Sequence, residues 1–187
     1  MNKQKFRQSC IEKLKRKKKN NVYKLDKMVV KKLLKLIDEK ESKVIMLYLP
    51  LKIEVNIKSL IIKLRKEKKT LLVPFMEGNS FSLVKYRLPL KIKKFGVKEP
   101  NNSNNYNNKI DLAIVPILGT DNTFRRIGFG KGFYDRFFEK NYKNIREVVF
   151  VGRERCISSE TITESHDVKG DAYFTPKSSF FNIKSRI

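Results

Sequence analysis

The chain has 187 residues, enough for one domain with a core of its own and no covalent staples. Its hydrophobic content of 40% is ordinary for a globular protein, and no apolar run is long enough to cross a bilayer. The formal net charge of +24 has two readings, a nucleic-acid or ribosomal partner or compositional drift towards Lys, Asn and Ile. The aromatic residues sit in apolar runs rather than on a stacking platform, so nucleic acid is not expected as the primary partner.

The N-terminus is basic but reaches Glu12 without an apolar segment, which is not a signal peptide; a cytoplasmic location is expected, with no membrane partner. Helical spacing runs from Lys3 to about Lys19, with Phe6, Cys10, Ile11 and Leu14 on one face. Lys3 and Arg7, four apart, put two cations on one side of that helix. They suit a phosphate or carboxylate, or simply a solvated face. The spacing predicts a second helix over 26–38, capped by Asp26 with Val29, Leu33, Leu36 and Ile37 inward. A buried strand over 43–49 ends at Pro50. Tyr48-Leu49-Pro50 followed by Glu54 leaves a strand end for a helix, a place for a pocket wall with one acceptor; a helix-start carboxylate is the other reading of Glu54.

Asn56 caps the next helix, with Ile57, Leu60, Ile61 and Leu64 at the 3.6-residue period. Strands follow over 70–75 and 81–86, the second pairing beside the first. Residues 92–100 read as irregular, and the Asn-rich stretch around 101–109 as a flexible loop. A strand over 110–115 stops at Pro116. A helix from Gly132 to about Asn141 leads to strands over 148–151 and 172–175. Alternating strands and helices predict a single three-layer α/β domain over 1–187, its sheet largely parallel or mixed and flanked by helices. Ligands in such folds bind beyond the carboxyl ends of the strands, where the connection after Val115 begins.

That connection carries three of the chain's 8 glycines, in Arg126-Ile127-Gly128-Phe129-Gly130-Lys131-Gly132-Phe133-Tyr134-Asp135. Alternating glycines let backbone amides approach a ligand, and a helix start offers unpaired N–H donors. The spacing matches neither the dinucleotide fingerprint nor the P-loop. It reads as a phosphate cradle, or more blandly as a glycine-rich turn. Asp135 and Asp167 are candidate carboxylates for Mg²⁺ beside phosphates. His166 lies near no nucleophile, and Asp171 reads as a turn carboxylate. Cys10 and Cys156 read as two lone thiols, Cys10 in the core; with one histidine in the chain a zinc site is not expected.

The stretch Val115-Pro116-Ile117-Leu118-Gly119, then Arg126 to Asp135, resembles the signature of the 5-formyltetrahydrofolate cyclo-ligase family, also called methenyltetrahydrofolate synthetases. In the same order, Lys3 to Arg7 resembles the family's N-terminal basic motif, Tyr48 to Glu54 its strand-end segment, Lys98-Glu99-Pro100 its Glu-Pro step and Glu164 to Asp167 its late acidic motif. The resemblance implies that Lys3, Gln4, Lys5, Phe6 and Arg7, together with Arg126, Ile127, Gly128, Phe129, Gly130, Lys131, Gly132, Phe133 and Tyr134, contact ATP. It implies that Arg7, Leu49 and Glu54 meet the folate and that Asp135 and Asp167 are linked to magnesium. The implied activity is ATP- and Mg²⁺-dependent closure of 5-formyltetrahydrofolate to 5,10-methenyltetrahydrofolate by a monomer, through a phosphorylated formyl group, with Arg126 and Lys131 stabilising the transfer. Ile117, Thr120 and Phe124 stand where the family usually has Gly, Phe and Gly, Cys156 near a usual Gln and Ile162 near a usual Pro. Two rivals stand beside this: a basic RNA- or ribosome-binding protein, and a nucleotide- or folate-binding relic without turnover.

Overall fold

The computed structural model describes residues 2–16, 19–92, 98–100 and 104–182. Its centre is a seven-stranded sheet, formed by β1 (Val44–Met46), β2 (Thr70–Glu77), β3 (Ser80–Lys85), β6 (Ile110–Pro116), β9 (Ile145–Val151), β10 (Ala172–Phe174) and β11 (Ser179–Phe181) in the order β11-β10-β9-β6-β1-β2-β3. The strands from β10 to β2 run parallel, and β11 and β3 close the two edges antiparallel. Two further ribbons lie outside it: β4 (Leu90–Ile92) with β5 (Lys98–Pro100), and β7 (Gly119–Thr120) with β8 (Arg126–Ile127).

The sheet is covered on both faces, which is why its inner strands carry continuous apolar stretches such as residues 112–115 and 148–151. Period-two alternation divides their side chains. Ile45, Leu112, Ile114, Val149, Val151, Ala172 and Phe174 meet Val29, Leu33 and Ile37 of α2 (Lys19–Glu39) and Leu60, Ile61 and Leu64 of α3 (Lys58–Lys66). Met46, Ala113, Val115, Val148, Phe150 and Tyr173 face the other way, towards Phe137 and Phe138 of α4 (Phe133–Asn141). The three-layer expectation therefore holds. A third cluster seats α1 (Lys3–Lys15) beyond the strand ends, through Phe6 and Cys10 against Leu118, Ile127 and Cys156.

Several expectations need correction. The second helix begins at Lys19, not Asp26. Asp26 is no cap: it lies mid-helix, 5% exposed, and is ion-paired to Arg153, a partner that local propensity cannot reveal. The first helix ends at Lys15, and Lys17 and Lys18 of the expected basic helix end lie outside the described residues. Residues 90–92 and 98–100 are paired strands rather than irregular chain. Of the Asn-rich stretch, residues 101–103 lie outside the described residues, whereas the Tyr106 amide donates to the Leu83 carbonyl (2.7 Å) and fastens the loop along β3. The edge strand β11 had no counterpart among the expected elements. Cys10 and Cys156 are not lone thiols: a disulfide joins them across 146 residues, with Cα atoms 6.0 Å apart.

The order β2-β1-β6 contains the sheet's reversal, because the chain leaves β1 towards β2 and later returns to its other side as β6. A crevice opens beyond the carboxyl ends of strands at such a point. Met46 ends one of these strands and Pro116 the other, and the candidate site grows from the chain that follows them.

Candidate active site

A cleft of about 560 Å³ opens there, within the usual range for a small-molecule site. Its walls are Tyr48, Leu49, Leu51 and Glu54 after β1, Pro74, Phe75 and Met76 of β2, Phe81 of β3, and Lys98 and Glu99 of β5. The glycine loop contributes the remaining wall, with Arg126, Phe129, Lys131, Gly132, Phe133 and Tyr134. Leu49, Glu54 and much of the loop were named from sequence. Leu51 lies within the expected pocket-wall segment 48–54, Phe75 and Phe81 fall in expected strands, and Met76 lies just beyond one; the β2–β3 hairpin brings Phe75, Met76 and Phe81 to the cleft only in the folded chain. Stacking of Phe81 on Phe137 (4.5 Å between centroids) and its edge contact with Tyr134 (5.2 Å) fasten that hairpin to α4.

Arg126 is the pivot of the site. It is 8% exposed, donates through Nε to the Pro116 carbonyl (3.2 Å), and lies 4.5 Å over the Tyr134 ring. Burial lowers its pKa, and Tyr134, Asp135, Glu54 and Asp167 pull it back up; a guanidinium so surrounded remains a cation at neutral pH. Gly128 makes room for it, since a Cβ there would stand 2.3 Å from Nη1. Gly130 (φ +86°) and Gly132 (φ +68°) hold left-handed conformations that a side chain strains. Gly132 is also the N-cap of α4, so the loop ends on a helix start that favours anions. Arg136, which the sequence reading passed over, ties this turn to the hairpin by donating to the Lys131 and Asn79 carbonyls (2.7 and 2.6 Å).

From the N-terminal helix, Arg7 reaches the same loop, its Nε donating to the Gly128 carbonyl at 2.9 Å. Lys3 goes to Asp167 instead, 2.7 and 2.6 Å from its two oxygens. Gln4 and Lys5 are exposed, and Lys5 points about 200° around the helix from Lys3. Phe6 is turned into the core cluster, 5% exposed, so its side chain is away from the cleft. Ile127 is likewise buried in that cluster. Phe129 and Lys131 are exposed at the cleft mouth.

Glu54 is half-buried and accepts from the Leu51 amide (2.9 Å). Burial raises its pKa; the Leu51 hydrogen bond and the cations of Arg126 and Arg153 partly offset this. Burial likewise raises the phenols of Tyr48 and Tyr134, and the nearby Glu54 charge adds to it, so both stay neutral. Asp135 lies in the first turn of α4, where its Oδ1 accepts a long bond (3.4 Å) from the Val168 amide, next to Asp167 in the chain. Asp167 already receives Lys3 on both oxygens and the Glu164 amide on one (2.7 Å). Among the described residues no three His, Cys, Asp or Glu side chains gather as a metal site. Mg²⁺ beside phosphates needs only one or two carboxylates; Asp135 fits that role, while a metal on Asp167 would have to displace Lys3.

The residues that depart from the family pattern have local partners. Phe124 has φ +60°, the region a glycine enters without strain, and packs its ring against the core facing α4. The Thr120 hydroxyl donates to the Arg125 carbonyl (2.7 Å), and Ile117 is buried. Asp121 sews this segment to residues 162–163, accepting from Thr123 on one oxygen and from Ile162 and Thr163 on the other.

The family model for 5-formyltetrahydrofolate cyclo-ligases matches residues 1–176. The chain is 29% identical over 150 residues to the 5-formyltetrahydrofolate cyclo-ligase of Haemophilus influenzae, covering 75% of this chain and 79% of that protein. It is 28% identical over 174 residues to a probable 5-formyltetrahydrofolate cyclo-ligase of Schizosaccharomyces pombe, covering 83% and 85%. Among solved structures, the 5,10-methenyltetrahydrofolate synthetase of Aquifex aeolicus superposes with a TM-score of 0.82 at 29% identity, over 100% of this chain and 96% of that one.

Proposed function

The chain belongs to the 5-formyltetrahydrofolate cyclo-ligase family, and we propose that it uses ATP and Mg²⁺ to close 5-formyltetrahydrofolate into 5,10-methenyltetrahydrofolate, releasing ADP and phosphate. One observation carries this reading. A buried cation, Arg126, stands where a glycine loop suited to phosphates meets an apolar cleft suited to a fused heterocycle.

The formyl oxygen on N5 is a poor leaving group. It attacks the γ-phosphorus of ATP, the bond to the β-phosphate oxygen breaks, and ADP departs. N10 of the same folate then adds to the activated formyl carbon. Loss of phosphate, with the N10 proton passing to solvent, leaves the methenyl bridge. Such a reaction asks for positioning and charge stabilisation rather than for a protein nucleophile. Amides of 128–132, Arg126 and Lys131 stabilise the transferring phosphoryl, and Arg7 reaches the same loop to add a second guanidinium. Glu54 accepts from the N–H groups of the pterin, with Leu49 against its ring. Asp135 would hold Mg²⁺, which would supply charge neutralisation beside the phosphates.

A monomer acting in the cytoplasm is part of the same proposal. Among the described residues no helix is long and apolar enough to cross a membrane.

The test is methenyl absorbance when the protein meets 5-formyltetrahydrofolate, with and without Mg-ATP. Product that requires Mg-ATP supports the reaction. Absence of product from folded protein, or product formed without ATP, overturns it.

A further inference from the structure

Arg126 and Arg153 are the two buried arginines among the described residues, and the reaction above employs only the first. Arg153 lies two residues beyond β9 and is 8% exposed. Its side chain crosses to α2 and grips Asp26 with one edge, Nε to Oδ1 at 2.7 Å and Nη2 to Oδ2 at 3.0 Å. Its remaining donors turn to a different segment. Nη1 donates to the carbonyls of Ile53 (2.9 Å) and Lys52 (3.4 Å), and Nη2 to that of Glu54. All five guanidinium N–H groups are thereby used. Asp26 reaches the same segment from its own side, accepting the Asn56 amide on Oδ2 (3.1 Å).

Residues 51–57 form no helix or strand, and of their carbonyls only that of Ile57 enters a regular ladder, accepting the Ile61 amide (3.0 Å) at the start of α3. The turn closes on itself only through the Glu54 amide to the Leu51 carbonyl (3.1 Å) and the Leu51 amide to the Glu54 carboxylate (2.9 Å). Those bonds fix its shape but not its place. Its place is set by Arg153, itself held on the rigid helix face by Asp26, together with the Tyr48 hydroxyl, which donates to the Val55 carbonyl (2.7 Å), and the buried side chains of Val55 and Ile57. Leu51 and Glu54 line the cleft from this turn. We infer that Arg153, locked by Asp26, is a positioning residue that sets the folate-facing turn 51–54 against the cleft. This rests on the reading of that end of the cleft as the folate site.

The chemistry requires arginine. A lysine offers three donors on a point charge and cannot hold a carboxylate in a fork while serving three carbonyls on the far side. The loop 128–132, which faces ATP in that reading, lies on another element, so the clamp acts on the folate end of the cleft.

The experiment uses Arg153→Lys and the paired Asp26→Leu/Arg153→Met, the second of which removes both charges and leaves neither buried alone. Folding is followed by circular dichroism and melting, and KM is measured for each substrate. The folate KM is expected to rise about tenfold to a hundredfold, with the ATP KM within about twofold of wild type. A folate KM unchanged in a folded variant, or an ATP KM rising in step, overturns the inference. Amide exchange over 51–57 is measured in parallel and needs no turnover: faster exchange in Arg153→Lys supports the clamp, and unchanged exchange overturns it. Failure of the cyclo-ligase reading appears separately, as a wild-type protein that makes no product.

Discussion

Replacing Gly128 by alanine tests whether the placement of Arg126 limits the reaction. The backbone at Gly128 is not in the left-handed region, so the added methyl acts through space alone. A Cβ there would stand 2.3, 2.5 and 2.6 Å from Nη1, Nη2 and Cζ of Arg126. Relief to an ordinary contact near 3.5 Å requires the guanidinium to retreat by about 1 Å. That movement lengthens a bond to Pro116 that is already 3.2 Å and pulls the cation off the Tyr134 ring. The structural loss is about 1–2 kcal/mol, or roughly 2–8 °C in melting temperature for a chain of this size. The kinetic loss is larger, because a 1 Å misplacement of a group in contact with the reacting atoms costs about a hundredfold. Steady-state methenyl formation should therefore show kcat/KM lower by about two orders of magnitude, with most of the loss in kcat. Gly130→Ala is the control: its Cβ would meet Arg7 at an ordinary 3.5 Å, and only the φ of +86° is strained, a cost of about 1–2 kcal/mol. Wild-type kcat in a folded Gly128→Ala protein would refute the role given to Arg126.

Three further outcomes are expected. Burial holds the Glu54 pKa above the ordinary value of about 4.3, against the opposing effects of the Leu51 amide, Arg126 and Arg153, with Tyr48 and Tyr134 neutral beside it. In the proposed reaction the ionised carboxylate accepts from the pterin, so folate affinity should fall as pH drops through this raised pKa; Glu54→Gln should abolish that limb and raise the folate KM about tenfold or more, and a limb that survives would count against Glu54. For Asp121, burial alone would raise the pKa, but hydrogen bonds from Thr163, Thr123 and Ile162 take it below the ordinary value. Its stabilisation is therefore present above about pH 3.9, the unfolded value, and lost as pH falls through the lower folded value. Asp121→Asn should melt lower than wild type at pH 7, with the gap closing below about pH 4; a gap independent of pH would contradict the assignment. Finally, Asp135→Asn should raise the Mg²⁺ concentration for half-maximal activity roughly tenfold, and an unchanged Mg²⁺ titration would remove Asp135 from the metal's neighbourhood.

What was legible in the sequence was local or periodic. The 3.6-residue spacing of Leu60, Ile61 and Leu64 marked α3, and the apolar run from Leu112 to Val115, stopped by Pro116, marked a strand. The glycine loop was legible because its requirements are backbone requirements: φ values of +86° and +68°, and a Cβ-free position beneath a guanidinium, leave their trace as glycine. Even the unusual Phe124 stood out for this reason, and its φ of +60° explains why a glycine would be at ease there.

Distant meetings left no such trace. Asp26 looked like a helix cap because aspartate caps helices, and only a partner 127 residues away makes a mid-helix carboxylate tolerable in the core. Cys10 and Cys156 showed no motif spacing, since their pairing depends on α1 folding back under the chain that follows β9. Phe75, Met76 and Phe81 carried the apolar signal of any strand; the twist and pairing of β2 with β3 turned them towards the cleft. By itself the chain determined most of its elements, their order and the glycine loop, because those follow from short-range sterics and hydrophobic period. Tertiary structure alone decided which charges share a buried pair, which apolar residues wall the site, and where the turn bearing Glu54 rests. Each of those depends on desolvating groups brought together by a fold that encloses them, a free energy that no short stretch of sequence contains.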